Sequence, residues 1–462
     1  MRKRQLRCLN RAVVKSKFMS VSFFYRKGIF ANISWIVRFF QKNLLINISK
    51  TKLYIRVELF LNWHKIGTLL NQYSVSSPSI LFLPMITAKN IHTTTPENIT
   101  ALIDECISEG FSPTLALVFT SVIYDLDVIS KPLEAKNIQT VGVTTSGEIQ
   151  DSEVHEDSIS IMLLDIDPTH FKVTLLERNE ESAFINSQNL AKQALATFEK
   201  PVLLLFSSGV RIDGQEVVEG IKSITENKVD FYGGLAGDNL QMQNTYVFTN
   251  EKKSDNAILG IIFNEGKISV KGVSTSGWEA VGTEKRITKS EGNVVYSIDN
   301  EPALQVFSKY FGLGDIQEND VAAVIGVRFP LQLMRADGTS VLRAPLVGNK
   351  EDGSLVFAGT VPEGSMVKFS TEPDFEVIEK TIEQVADFKE TQMQDADALL
   401  VVSCAARKLS FGPMVEDEIQ GVQNTWNAPL IGFFAYGEIG SLKNGTCDFH
   451  NETISLIVIK EK

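Results

Sequence analysis

The chain has 462 residues, 44% of them apolar and 22% charged, and a formal net charge of −11. That length suits about two or three domains with cores of their own, and the composition excludes a collagen, a coiled coil or a wholly disordered chain. The acidic balance argues against a general nucleic-acid binder. Four scattered cysteines (Cys8, Cys106, Cys404, Cys447) without C-x-x-C spacing support neither a disulfide framework nor a structural zinc site.

The charge divides abruptly. Met1 to Pro84 holds 15 Lys and Arg and one acid, Glu58, whereas the rest carries 30 bases against 55 acids. A transit peptide, a membrane-associating arm and translated sequence upstream of a start at Met85 all account for such a segment. Its monotony of Lys, Asn, Ile, Leu, Phe and Ser, without a stable period, favours the upstream-start reading, with a disordered arm as the alternative. No membrane span is expected, because the longest uncharged run, Ile66 to Ala88, contains Asn71, Gln72, Pro78 and Pro84.

From Met85 the elements follow in order. Thr95-Pro96-Glu97 opens a helix carrying Ile99, Leu102, Ile103 and Cys106, which Gly110 stops. Leu115 to Phe119 reads as a strand buried on both faces. A helix and a strand at Thr140 to Thr144 come next. Strands Ser158 to Asp165 and Phe171 to Glu177 are expected to pair antiparallel across a short loop. A helix (Ala191 to Phe198), a strand (Val202 to Phe206) and a helix (Gly214 to Thr225) lead into Gly233-Gly234-Leu235-Ala236-Gly237-Asp238. Strands are expected at Tyr246 to Thr249, Ala257 to Phe263 and Ile268 to Val273, then a boundary near Gly282 to Ile287. Beyond it come a helix at Pro302 to Tyr310, strands at Val321 to Val327 and Leu355 to Gly359, a helix at Thr381 to Phe388 and a terminal hairpin.

An internal repeat relates Val141-Gly142-Val143-Thr144-Thr145-Ser146-Gly147-Glu148-Ile149 to Ile431-Gly432-Phe433-Phe434-Ala435-Tyr436-Gly437-Glu438-Ile439. Each follows a buried-type strand ending in small residues and precedes a similar strand, Ser158 to Leu163 or Thr453 to Val458. The fold expected is α/β: two related lobes, each a mixed β-sheet flanked by helices, with the basic extension unrelated to either. Glu148 and Glu438 then occupy equivalent places, facing each other across a cleft.

Three stretches suit a small polar ligand. Glycines let backbone N–H groups approach closely and form an anion nest, so Gly233, Gly234, Gly237 and Gly437 are candidates. Arg407 offers a planar fork for a carboxylate, and Asp238, Glu438 or Glu148 could accept from an ammonium. Cys404 and Tyr436 complete the set, and the stretches around 235, 405 and 437 are expected to line one crevice. As plain structure, the glycine segment is a tight bend, Cys404 a small buried hydrophobe and the glutamates hairpin acids capping amides. The spacing is neither a dinucleotide fingerprint nor a P-loop. No catalytic set and no metal triad is visible.

Gly233 to Asp238, Thr245-Tyr246-Val247-Phe248, Gly277-Trp278 and Gly292-Asn293 with Ile298-Asp299 and Pro302-Ala303 resemble the FIST sensory domain. Cys404 to Arg407, Tyr436 to Ile439 and Phe449 to Thr453 are similar to its companion FIST C-terminal domain. The likeness runs from about Ala101 to Val458, with residues 85–285 taken as the first domain and 286–462 as the second. It implies a cytoplasmic signal-transduction sensor binding a small, amino-acid-like ligand between two lobes. It also implies a stand-alone module whose output partner is a separate protein such as a histidine kinase or cyclase. Some relatives are haem-dependent nitric oxide sensors, which is one alternative, with His92, His155, His170 and His450 as the available ligands. A Cys404-dependent enzyme assisted by Arg407 is the other.

Overall fold

The computed structural model describes residues 86–462 except 109, 179, 315–316, 318–319, 336–337, 371–373 and 443–446. Expectations for residues 1–84 lie outside the described residues. Three unbroken apolar runs, Leu115–Ser121, Pro201–Ser207 and Ala398–Cys404, are strands buried along their whole length. Alternate side chains enter different cores, as Leu117 and Phe119 do on one face and Ala116 and Val118 on the other. That two-sided burial is why these runs do not alternate in polarity.

Each run is the centre of a unit built in the same order. The first comprises β1 (Thr87–Thr93), α1 (Ile99–Ser108), β2 (Leu115–Ser121), α2 (Leu126–Glu134) and β3 (Gln139–Thr145). A hairpin of β4 (Glu148–Gln150) and β5 (Glu153–His155) and a return strand β6 (Ile159–Asp165) complete it. The second runs β7 (Phe171–Glu177), α3 (Ala183–Thr197), β8 (Pro201–Ser207), α4 (Gly214–Thr225) and β9 (Phe231–Leu235). Its hairpin is β10 (Val247–Phe248) and β11 (Lys253–Ser254), and its return strand is β12 (Ala257–Asn264).

The third unit opens with β13 (Ile268–Thr275) and is interrupted by an inserted region. The insertion holds β14 (Ala280–Glu291), β15 (Val294–Ile298), β16 (Glu301–Pro302), α5 (Ala303–Phe311) and β17 (Leu331–Met334). It continues through β18 (Ser340–Arg343), β19 (Pro345–Gly348), β20 (Leu355–Phe357) and β21 (Met366–Ser370), which together form an eight-stranded sheet. The third unit resumes with α6 (Phe375–Thr391), β22 (Ala398–Cys404), α7 (Ala405–Phe411), α8 (Val415–Trp426) and β23 (Leu430–Ala435). Hairpin β24 (Glu438–Ser441) and β25 (Cys447–His450) and return strand β26 (Ile454–Glu461) end it.

In every unit the central strand pairs parallel with the strand after it and antiparallel with the return strand. The opening strands β1, β7 and β13 cover the return strands. The hairpins do not stay at home. β4–β5 of the first unit docks on β23, β24–β25 of the third on β9, and β10–β11 of the second on β3. This cyclic exchange produces three six-stranded mixed sheets, each completed by another unit. One phenylalanine from each unit meets in the shared core, with ring centroids of Phe119, Phe206 and Phe433 4.6–6.0 Å apart. Asp125, Asp213 and Asp374 cap α2, α4 and α6 by accepting a backbone N–H in the first turn.

The α/β class with mixed sheets flanked by helices is therefore observed. Four expectations change. Strands β6 and β7 do not pair with each other: β6 lies between β1 and β2, and β7 pairs with β12 in another sheet. Val321 to Val327 is not a strand but contains a helical stretch, Ala322–Gly326, that brings Val321 and Ile325 onto one face of the insertion's core. Short apolar runs do not distinguish these two outcomes. The helix expected from Ala191 starts at Ala183, where the Ser182 hydroxyl accepts from the Ile185 amide. The junction expected at 285/286 falls inside β14.

The seam between β9 and its neighbours has no room for a side chain. Gly233 has φ +147°, and a Cβ there would lie 1.7 Å from the Leu205 carbonyl oxygen. Gly233→Ala is expected to lower unfolding stability by about 3 kcal/mol, read by urea denaturation; a change within about 0.5 kcal/mol would contradict this packing.

Candidate functional site

Strands β3, β9 and β23 each run into a tight turn followed by an acid: Gly147-Glu148, Gly237-Asp238 and Gly437-Glu438. The turns touch because the hairpins are exchanged. Ser146 N–H donates to Phe434 O, Gly237 N–H to Thr144 O and Leu235 N–H to Gly437 O. At Gly237 the approach is so close that a Cβ would lie 2.5 Å from Ser146 Oγ.

All three acids accept hydrogen bonds, Glu148 and Glu438 at the start of a return strand and Asp238 within its own loop. Ser158 N–H and Oγ donate to Glu148 Oε2 at 3.1 and 2.7 Å, and Thr145 Oγ1 donates to Oε1. Thr453 N–H and Oγ1 donate to Glu438 Oε2 at 3.2 and 2.9 Å. Asp238 accepts from the amides of Met242, Gln243 and Asn244 at 2.7–2.9 Å and from the Tyr436 hydroxyl. Burial raises Glu148 to about 7 and Glu438 to about 8. Burial also works against the charge of Asp238, but its hydroxyl and amide donors hold the carboxyl below its usual range.

Beside the turn at Tyr436 lies a cavity of about 470 Å³, where the second unit, the third unit and the inserted sheet meet. Leu235, Cys404, Ala405 and Tyr436 line it, so the stretches around 235, 405 and 437 do converge. The inserted sheet contributes Leu346 and Phe357, and the loop before α4 contributes Arg211.

One further residue lines this cavity and was absent from the sequence-derived set: Glu452. It is fully buried, and neither carboxylate oxygen has a hydrogen-bond partner in the protein. Its backbone sits at φ +56°, uncommon for a residue with a long side chain. Burial, then the neighbouring Glu438, push its carboxyl well above the usual range, which favours the neutral form. The repeat supplies an internal comparison. Asp157, Asn256 and Glu452 each stand two residues before the isoleucine that begins the paired part of a return strand, Ile159, Ile258 and Ile454. Asp157 accepts from Ser121 Oγ and Asn239 Nδ2, and Asn256 exchanges hydrogen bonds with Arg178. Only at Glu452, of these three, is the side chain left without a partner.

The other candidates sit elsewhere. Arg407 is fully buried: it is paired with Glu418 and donates to Ser276 O, Glu452 O and Thr381 Oγ1. Its fork is thus occupied, and a ligand carboxylate finds no donor there. Gly233 and Gly234 pair with Ile439 and Glu438 of β24, forming a seam rather than a nest. Gly237, Gly437, Asp238 and Glu148 also lie off the cavity, with the partners given above. Glu148 and Glu438 are equivalent in the repeat, yet neither is a cavity wall.

Two chemistries fit poorly. Burial, then the carboxyls of Glu438 and Glu452, push the Cys404 thiol well above its usual range, which keeps it protonated rather than nucleophilic. No described histidine lines the cavity, so its walls offer a haem iron no imidazole. His92 and His155 stack with ring centroids 3.9 Å apart, His170 lies beside Asp167, and His450 is enclosed with Nε2 on Gly440 O.

Residues 114–301 match the FIST N domain and residues 303–441 match the FIST C domain. An uncharacterized protein of Methanocaldococcus jannaschii is 24% identical over 259 residues, covering 49% of this chain and 48% of that protein. The match thus spans about half the length of that relative.

Two outcomes follow. Arg407→Met strands Glu418 in the core, and a loss of about 3–5 kcal/mol is expected in urea unfolding, largely restored when Glu418 is also made Met. A group raised in the folded state supports stability at low pH and loses that contribution as pH rises toward its folded value. Glu438→Gln removes that loss, so its melting temperature should gain on the wild type between pH 5 and pH 8; a constant difference across that range would refute the assignment.

Proposed function

The chain belongs to the FIST family, whose domains are signal-transduction sensors, and from that premise we propose that its cavity binds a small amino-acid-like molecule through its ammonium group. The observation that carries this reading is Glu452, a fully buried residue of the cavity lining whose two carboxyl oxygens have no partner in the protein. An arriving ammonium supplies the missing donors. The carboxyl then releases its proton to solvent through the open side of the cavity, and the resulting ion pair lies beside walls that include Leu235, Leu346 and Phe357. Arg211, already paired with Asp255 at 2.9 Å and largely exposed, lines the same cavity and suits the ligand's carboxylate.

Signal generation follows from the position of the cavity. Its walls come from two units and the inserted sheet, so a ligand touching all three favours the arrangement in which they lie closest, in proportion to its preference for that state. On this reading the output element is a separate protein, such as a histidine kinase or cyclase, in the cytoplasm. Cys404 and Cys447 are buried free thiols, which suits a reducing compartment. No described helix is long and apolar enough to cross a membrane.

Calorimetric titration with a panel of amino acids tests the proposal. Glu452→Gln keeps the shape but not the charge, and should weaken binding by about 10- to 100-fold, while its melting temperature stays equal to or above the wild type. Because Glu452 must ionise to bind, wild-type affinity should rise with pH above the usual carboxylate range, by up to about tenfold per unit. Unchanged affinity in the variant together with pH-independent binding would remove the ammonium from this site.

A further inference from the structure

The loop that follows Asp238 is unlike an ordinary surface connection. Asn239, Leu240 and Met242 have φ of +52°, +62° and +55°. Asparagine tolerates that region, but for bulky side chains it is a strained conformation that persists only when the surroundings enforce it. Here the enforcement is visible: both oxygens of Asp238 are used to hold the amides of Met242, Gln243 and Asn244, and the Tyr436 hydroxyl ties Asp238 to the cavity. The result is that two apolar side chains are presented to solvent, Leu240 at 45% and Met242 at 50% exposure. Both line the cavity of Glu452, as does Val210, 41% exposed.

Resting on the ammonium reading of Glu452, we infer that this loop is an apolar clamp, and that the ligand's class is an amino acid with an aliphatic side chain. The cavity combines one unpartnered carboxyl with walls from Leu235, Leu346, Phe357 and Phe449, and the exposed pair Leu240 and Met242 completes the apolar surface at its solvent side. An ammonium on Glu452 orients the ligand, and its hydrocarbon chain removes Leu240 and Met242 from water. A hydroxylated or charged side chain would find no hydrogen-bond partner on the Leu240 and Met242 side chains. Strain in the loop is then the cost of holding apolar groups outward until a ligand covers them.

The test is calorimetry on the full chain with glycine, L-alanine, L-norvaline and L-norleucine, for the wild type and for Leu240→Gly with Met242→Gly. Glycine suits the positive φ at both positions, so the variant should melt no lower than the wild type. Wild-type dissociation constants should tighten by about fourfold for each methylene added from alanine to norleucine. In the variant the gain should shrink to about twofold or less per methylene, with glycine binding little changed. Affinities that ignore chain length in the wild type, or a variant that keeps the full gain, would overturn the clamp while leaving the ammonium site standing. Binding of no member of the series would overturn both.

Discussion

The exchange of β-hairpins among the three units is the constraint on which the rest of the architecture depends. Each six-stranded sheet is finished by backbone hydrogen bonds from another unit, so no unit is complete alone. Because β4 and β24 leave their own sheets immediately after a turn glycine, those turns are brought together with the turn at Gly237 near the shared core. That is why Ser146, Gly237 and Tyr436, distant in the chain, are neighbours, and why the acids after the turns are enclosed. The cavity is an outcome of the same exchange: its walls include Leu235 at the end of β9 and Tyr436 in the turn that carries β24 to β9.

The proposed site lies where the repeat departs from its own rule. In the first unit the acid before the return strand is satisfied because Ser121 ends the central strand and its hydroxyl donates. In the third unit the corresponding strand ends in Cys404, a poor donor, and Glu452 is left with unused acceptors. A similar contrast separates the three turn acids. Glu148 and Glu438 clamp the start of a return strand, whereas Asp238 instead organises a loop bearing Leu240 and Met242. The approximately threefold scaffold is thus broken at Glu452, and the inserted sheet lines the cavity beside it.

The two units that keep Gly-x-x-x-x-Gly-Glu were legible in the chain, and so was the convergence of segments near 235, 405 and 437. The middle unit was hidden because Tyr232 stands where the others have Gly142 and Gly432, Asp238 replaces the glutamate, and extra residues precede β10. Hairpin exchange leaves no mark on periodicity, since β4 and β24 have the same alternation whichever sheet they join. Glu452 escaped notice because a charged residue in His450-Asn451-Glu452-Thr453 reads as exposed turn. The available signal was the likeness of His155-Glu156-Asp157-Ser158 to that segment, which places an acid at the same point of both units. Arg407 shows the opposite failing: its chemistry suits a carboxylate ligand, and the one it holds is Glu418, eleven residues along the chain.

Infrared difference spectroscopy of the protein with and without L-norleucine, compared between wild type and Glu452→Gln, is the most direct test that Glu452 is a neutral carboxyl that ionises to receive an ammonium. The account predicts that ligand addition removes a protonated-carboxyl band and creates a carboxylate band, both missing from the variant. A ligand that binds while the carboxyl bands stay unchanged, or change equally in the variant, would contradict it.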